Sequence, residues 1–117
     1  MSRYYHNPRC SKSRQGLQLL QDLGTPLTLI HYLETGLTED ELNHIIEVLE
    51  QPLSELIRHK EAKALNIQIK ALNKASLIKT LTTHPQLLER PLLVTKTTAI
   101  IGRPPERFKS ALPPFKT

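Results

Sequence analysis

The first third of the chain alternates between extended and helical patterns, and this alternation restricts the fold more than any other feature. Residues 3–6 are rich in aromatic side chains that favour strands, and Asn7-Pro8 ends that segment with a turn signal. Residues 11–23 place leucines three and four positions apart, and Gly24 follows as a helix stop. Residues 27–33 return to a strand-like composition. This order predicts a βαβ unit with a parallel pair of strands.

The middle of the chain is predicted to be helical. Thr38 and Glu41 have the spacing of a capping box, and apolar residues over 42–49 recur at i, i+3, i+4 and i+7. Two further helical stretches are predicted over residues 53–57 and 75–81, the second ending before a His-Pro pair.

The last part of the chain predicts a hairpin and a final helix. Two apolar runs, 92–95 and 98–101, are joined by Lys96-Thr97. A last helical segment over 106–112 precedes Pro113-Pro114, where we expect a frayed tail. The complete order, β-α-β, helices, β-β and α, predicts an α/β fold with a thioredoxin-like mixed sheet. An all-helical bundle would leave the two apolar runs unexplained.

Length and apolar content suit one domain over residues 1–117, because 38% of the residues are hydrophobic. No apolar stretch approaches the roughly 20 residues that cross a bilayer, and no apolar signal segment opens the chain. We therefore expect a cytoplasmic protein with no membrane partner. The single cysteine excludes an internal disulfide and a multi-cysteine zinc site. We expect a monomer without a metal ion.

The formal net charge of +5 would attract anions of any size, from a small oxyanion to nucleic acid. Nucleic-acid binding is the less favoured reading, because the basic residues are scattered along the chain. Only two Phe and three Tyr are available to stack on bases. We expect no nucleic-acid partner.

Cys10 lies between the predicted turn and the first helix, where unpaired backbone amides of Ser11, Lys12 and Ser13 would point at its sulfur. This placement stabilises a thiolate and lowers the pKa of the thiol. A lone cysteine is more commonly a buried filler. The basic and polar residues on both sides of Cys10 favour a reactive nucleophile instead.

Four further residues are candidates for the same site. His6 ends the first strand and could stabilise a thiolate or hold a water, although such a histidine is more often simply packed or solvated. Arg58, Arg90 and Arg103 each adjoin an apolar segment, and three forked donors on one point would hold a tetrahedral oxyanion. The alternative for each arginine is an ordinary solvated surface, and the residues alone do not show that they converge.

Residues 5–14, Tyr-His-Asn-Pro-Arg-Cys-Ser-Lys-Ser-Arg, resemble the active-site segment of the arsenate reductase family related to glutaredoxin. This segment and the further matching stretches given next are highly specific as a set. The other matching stretches follow the family's order over almost the whole chain: 32–35, 56–58, 60–62, 84–85, 88–91, 93–94 and 101–106.

The resemblance implies a thioredoxin-like fold in which Cys10 is the nucleophile and His6 tunes it. It also implies that Arg58, Arg90 and Arg103 surround the anion and that the Arg90-Pro91 bond is cis. The expected reaction reduces arsenate to arsenite through a covalent thiol-arsenate on Cys10. Backbone amides of the first helix would help to hold the substrate.

With one cysteine in the chain, an external thiol must complete the reduction. Similar enzymes use glutathione as the co-substrate and then glutaredoxin, so both are expected partners and no bound cofactor is expected. The alternative is a non-enzymatic regulator of the same fold that binds RNA polymerase. Such regulators typically carry a C-x-x-C switch, whereas Ser13 stands at the second cysteine position here. The retained I-G-R-P-P-E stretch also favours the enzyme.

Overall fold

A computed structural model of the protein describes residues 2–111. The helices and strands follow in the order β-α-β, a helical middle, β-β and a last helix, which confirms the predicted fold class. They are β1 Ser2–Tyr5, α1 Ser11–Asp22, β2 Leu27–Ile30, α2 Tyr32–Thr35, α3 Glu39–Val48, α4 His59–Ala64, α5 Lys74–Thr83, β3 Leu92–Val94, β4 Ala99–Ile101 and α6 Phe108–Ala111. Short 3₁₀ turns span Leu53–Leu56, Ile69–Ala71, Pro85–Leu87 and Pro105–Arg107.

The strands form one four-stranded mixed sheet in the order β2-β1-β3-β4. β1 is parallel to β2 and antiparallel to β3, so that Tyr5 lies opposite both Ile30 and Leu92. β3 and β4 form the predicted hairpin, with Leu92 opposite Ile101. The carboxyl ends of β1, β2 and β4 therefore meet the amino end of β3 at one edge of the sheet. We call this the site edge; it carries residues 6–10, 31–32, 90–91 and 102–103.

Both faces of the sheet are covered, because neighbouring strand residues point to opposite sides. On one face the row Tyr4, Leu93 and Ile100 packs with Leu20 of α1 and Phe108 of α6. On the other face Tyr5, Leu92 and Ile101 pack in a larger core, together with residues of α3 and α5. The helix α1, which directly follows Cys10, is therefore held against the sheet by a buried apolar layer.

The outer edge of β4 is covered by the chain that follows α3. The backbone amide of Glu50 donates to the carbonyl of Ala99 at 2.8 Å. The side-chain amide of Gln51 bonds both backbone groups of Ile101, at 2.9 and 3.1 Å. These bonds satisfy an otherwise open strand edge and hold the end of β4 from which Arg103 follows.

Two helix ends confirm sequence predictions. At the start of α3, Thr38 Oγ1 accepts from the Glu41 amide at 3.1 Å, and Glu41 Oε1 accepts from the Thr38 amide at 2.9 Å. This is the predicted capping box. After α1, Gly24 has a φ of +72° and donates to the carbonyl of Gln21, as expected of a residue that ends a helix.

The predicted strand over 27–33 is wrong beyond Ile30. The Ile30 carbonyl accepts the His6 amide at 3.0 Å, and β1, the one strand that pairs with β2 within residues 2–111, has already ended. Tyr32 therefore begins the helical turn α2, in which the amides of Glu34 and Thr35 bond the carbonyl of His31. Beyond Ile30 no neighbouring strand among the described residues bonds the backbone groups of the chain, so a helical turn satisfies them instead.

The other differences concern short elements. The predicted helix over 53–57 ends at Leu56, because Ile57 is extended and bridges Leu88. The helix α4 and the 3₁₀ turn Ile69–Ala71 were not predicted. The hairpin strands exclude Thr95 and Thr98, which bond each other across the turn at 2.7 Å.

The predicted final helix over 106–112 is a 3₁₀ turn followed by α6. Leu112 and the predicted tail at Pro113-Pro114 lie outside the described residues. Across residues 2–111, none of the helices combines the length and apolar character that a bilayer crossing requires.

Candidate active site

Cys10 is the residue that immediately precedes α1, in an extended conformation with φ −94° and ψ 121°. Its amide donates to the carbonyl of Asn7 at 3.0 Å, and its carbonyl accepts from the amide of Arg14 at 3.0 Å. The first bond closes the turn after β1, and the second belongs to the first turn of the helix. The half-buried sulfur is thereby held at the amino end of α1.

The surroundings of Cys10 stabilise its thiolate. Burial raises the pKa of the thiol, but the backbone amide of Ser13, the guanidinium of Arg90 and the backbone amide of Lys12 together outweigh it, so that the pKa lies below its ordinary value. Ser11 occupies the first helical position, beside these amides. Helix amides and one half-buried arginine thus supply the positive potential.

Arg103 and Arg90 meet at this sulfur. Nη2 of Arg103 lies 3.8 Å from Cys10 Sγ, and Nε of the same guanidinium donates to the carbonyl of Arg90 at 2.8 Å. Burial lowers the pKa of Arg90, but Cys10 and Tyr32 raise it by more. The Arg90-Pro91 bond is cis, as the resemblance implied, and so is Arg103-Pro104. Two of the three expected arginines therefore converge on the thiol.

Arg58 joins the cluster from one side and has its charge opposed by two carboxylates. Its Nη1 lies 2.8 Å from Glu89 Oε1 and its Nη2 lies 2.9 Å from Glu61 Oε2. The backbone reinforces this placement, since the Arg58 amide donates to the carbonyl of Leu87 and the Glu89 amide to that of Leu56. The structure thus links Arg58 to the other arginines through Glu89.

Glu89 is the common acceptor of the arginine cluster, and the sequence analysis did not select it. Its Oε1 accepts from Arg58 Nη1 and from the Arg90 amide at 3.1 Å, and it lies 3.4 Å from Arg103 Nε. One carboxylate oxygen therefore orients three arginine residues. The sequence signal that could have identified Glu89 was its position directly before Arg90, which was already a candidate site residue.

His6 contacts Ser13 rather than the sulfur. Its Nδ1 lies 2.7 Å from Ser13 Oγ, which also accepts from the Asn7 amide at 3.0 Å. The Ser13 carbonyl accepts from the hydroxyl of Tyr4 at 2.6 Å. Ser13, fully buried, is held at three points, and its own amide faces Cys10. His6 therefore orders the amide that stabilises the thiolate.

Burial lowers the pKa of His6, and the nearby His31 and Arg14 lower it further. The ring of His31 lies 5.9 Å from that of His6. A neutral His6 is the form that fits these surroundings at neutral pH. A neutral ring can accept the hydroxyl proton of Ser13 while Ser13 accepts from Asn7, which satisfies every group in this buried network.

Tyr32 is the second residue that sequence analysis missed at the site edge. It was assigned to a strand, whereas it begins α2 with its ring fully buried. The pKa of Tyr32 is raised by burial and is influenced by Arg90, Cys10 and Arg58. The hydroxyl therefore lies near the Cys10 thiol and two of the arginines.

The described residues suit covalent chemistry on a small anion. Within residues 2–111 no three of the His, Cys, Asp and Glu side chains are grouped to hold a metal ion. A stabilised thiolate, two guanidinium groups and helix amides at one edge can instead bind an oxyanion and attack its central atom. Fold and site together define a thioredoxin-like protein with one thiol of lowered pKa beside two arginines.

The comparisons with known proteins agree with this class. The family model described as ArsC family matches residues 5–111, and the chain belongs to that family. It is 42% identical over 106 residues to the Escherichia coli (strain K12) protein named YfgD, covering 88% of this chain and 89% of that one.

Two arsenate reductases are also similar. The Haemophilus influenzae enzyme is 38% identical over 105 residues, which cover 87% of this chain and 90% of the relative. The solved structure of the arsenate reductase from Vibrio cholerae matches with a TM-score of 0.85 and 37% identity, covering 95% of this chain and 97% of that chain.

Proposed function

We propose that this protein reduces arsenate to arsenite through a covalent adduct on Cys10. The observation that carries the proposal is a thiol of lowered pKa with Arg90 and Arg103 at its sulfur. Such a site both attracts an oxyanion and presents the attacking atom to it. Membership of the ArsC family and the names of the similar enzymes support arsenate as that anion.

In the first step Arg90, Arg103 and the amides of Lys12 and Ser13 hold the arsenate dianion. The Cys10 thiolate attacks arsenic, an S–As bond forms and one As–O bond breaks. The departing oxygen takes protons from solvent and leaves as water. Arsenic remains As(V) in this thiol-arsenate, so no electron has yet been transferred.

In the second step the glutathione thiolate attacks Sγ of Cys10. An S–S bond forms, the S–As bond breaks and its electron pair stays on arsenic, which leaves as As(III) arsenite. Cys10 is then a mixed disulfide with glutathione, and a glutaredoxin thiolate attacks the glutathione sulfur to release the Cys10 thiolate. The two electrons come from the oxidation of two thiols to one disulfide. The single cysteine of the chain is the reason for an external donor.

Arsenite production from arsenate tests the proposal. The assay compares the wild type with Cys10→Ser and with Lys96→Ala, a control in the exposed hairpin turn. It contains glutathione, glutaredoxin and NADPH-driven glutathione reductase, each omitted in turn. We expect turnover that requires glutathione and glutaredoxin, that is lost in Cys10→Ser and that is unchanged in Lys96→Ala.

Two results would contradict parts of this proposal. A folded wild type without turnover would overturn the reductase assignment and favour the polymerase-binding regulator. Full turnover without glutaredoxin would overturn the second partner alone. Binding of phosphate is not a test, because phosphate is isosteric with arsenate and differs in its reaction with thiols.

A further inference from the structure

Tyr32 differs from the other tyrosines of the chain because its hydroxyl proton has no acceptor among the residues that the structure describes. All three tyrosines are fully buried. The hydroxyl of Tyr4 donates to the Ser13 carbonyl at 2.6 Å, and that of Tyr5 donates to Glu41 Oε2 at 2.8 Å. The Arg90 guanidinium, which can only donate, lies near Tyr32 Oη, and the proton of this hydroxyl has no acceptor among residues 2–111. A buried hydroxyl without a partner costs free energy, so such a group calls for an explanation.

The two arginines near this hydroxyl cannot accept its proton. Tyr32 begins α2 at the site edge and interacts electrostatically with Arg90, Cys10 and Arg58. Arginine side chains are donors only, so neither guanidinium can take the phenolic hydrogen. The Nε atoms of Arg58 and Arg90 are likewise buried without a hydrogen bond to the described residues. The common partner for a set of donors is an anionic oxygen acceptor.

We propose that the hydroxyl of Tyr32 donates a hydrogen bond to an oxygen of the tetrahedral oxyanion bound beside Cys10. This assignment rests on the proposed function for the identity of the anion, arsenate. It adds an uncharged donor to the arginines and the helix amides. Tyr32 is then a substrate-binding residue whose fully buried ring fixes the direction of its hydroxyl.

The electrostatics suit a donor that keeps its proton. Burial raises the pKa of Tyr32 above its ordinary value, so the phenol is still neutral at the pH at which the Cys10 thiol loses its proton. A neutral hydroxyl holds an anion without adding to the positive charge of Arg90 and Arg103. Its contribution depends on direction and not on ionic strength, unlike that of an exposed cation.

The substitution Tyr32→Phe tests this role because it removes one oxygen and keeps the buried ring. We expect KM for arsenate to rise about tenfold, the loss of one hydrogen bond to a charged group, with kcat within threefold of the wild type. Inorganic phosphate gives a second readout: it should protect Cys10 from alkylation by neutral iodoacetamide, with an affinity about tenfold weaker in the variant. The midpoint of thermal unfolding should stay equal or rise, since the proton of the lost hydroxyl had no acceptor among the described residues.

Tyr5→Phe is the matched control. Its ring is equally buried and lies 6.4 Å from that of Tyr32, but its hydroxyl is already bonded to Glu41. It should lower the thermal midpoint and leave phosphate protection unchanged. Phosphate protection in Tyr32→Phe within twofold of the wild type would overturn the proposal.

The phosphate readout separates this proposal from the proposed function. If the wild type reduces no arsenate while phosphate protection depends on Tyr32, the reductase assignment fails and the binding role stands. If arsenate is reduced and Tyr32→Phe changes neither KM nor phosphate protection, the reductase assignment stands and the binding role is wrong.

Discussion

The guanidinium of Arg103 reaches Cys10 across 93 residues of sequence, with Nη2 3.8 Å from the sulfur. Nε of the same side chain donates to the carbonyl of Arg90 at 2.8 Å. The planar group therefore spans from the loop before β3 to the thiol, using donors on two of its edges. This geometry makes the site sensitive to the shape of the cation as well as to its charge.

Arg103→Lys keeps the charge and loses the fork. We expect KM for arsenate to rise about tenfold, because one ammonium group cannot bond both the Arg90 carbonyl and the region of the sulfur. The pH midpoint of Cys10 alkylation by iodoacetamide should also rise. Arg107→Lys is the control, since Arg107 pairs with Glu55 on the surface at 3.7 Å. Wild-type values in Arg103→Lys would show that charge alone suffices.

The role of Glu89 should depend on the length of its side chain. Glu89→Asp keeps the charge but withdraws the oxygen that Arg58, Arg90 and Arg103 share, and we expect KM for arsenate to rise about tenfold. Glu89→Gln keeps an acceptor oxygen at full length and should cost about threefold. Glu61 pairs with the same Arg58 but is exposed to solvent, so Glu61→Gln should change KM least of the three substitutions. Steady-state kinetics rank the three variants by KM for arsenate. A larger rise in KM in Glu89→Gln than in Glu89→Asp would mean that the charge of Glu89 matters more than its length.

His6 should make the stability of the fold depend on pH. Its pKa in the folded state lies below the ordinary value of 6.5, because burial opposes the charged ring. As pH falls through 6.5 the unfolded chain therefore binds the proton first, and the free energy of unfolding decreases. His6 thus contributes stability that is complete above this pH and is lost below it.

The comparison of two variants isolates this effect. His6→Asn can still bond Ser13, and we expect it to lose less of its thermal midpoint than the wild type between pH 7.5 and pH 5. His59→Asn, an exposed histidine whose Nε2 lies 2.8 Å from the Ser54 carbonyl, should keep the wild-type pH dependence. An unchanged pH dependence in His6→Asn would mean that groups other than His6 cause the loss of stability at acidic pH.

Gly102 is a position where the backbone and a ring approach too closely for a side chain. A Cβ there would collide with the ring of Phe108, which is fully buried. Gly102→Ala should lower the free energy of unfolding by about 1–3 kcal/mol, the usual range for overpacking a core. Urea denaturation measures this, and Phe108→Leu in the same chain should recover part of the loss.

Gly24→Ala is the control for backbone conformation. Gly24 has a φ of +72° and a Cβ there would meet nothing within 4 Å, so only the left-handed conformation opposes alanine. We expect a loss of about 1 kcal/mol. A loss in Gly102→Ala no larger than this would show that the Phe108 ring moves aside freely.

The sequence by itself determined the local structure. Turn residues and leucine spacing placed Cys10 at the amino end of the first helix, and the Thr38 and Glu41 pair marked the start of α3. These features depend on hydrogen bonds and side chains within a few residues of each other, and their patterns are visible in the chain. The order of elements then restricted the sheet, which is why the fold class was predicted correctly.

Only the tertiary structure decided which residues share the site. Strand register brought Arg103 to Cys10 and set Glu89 between Arg58 and Arg103, contacts that no local pattern records. The end of β1 also decided that Tyr32 begins a helix, because a strand continues only where a neighbour can bond it. Local propensity fixes many of the elements, whereas the partners of a side chain depend on how distant elements pack, and that depends on the whole chain.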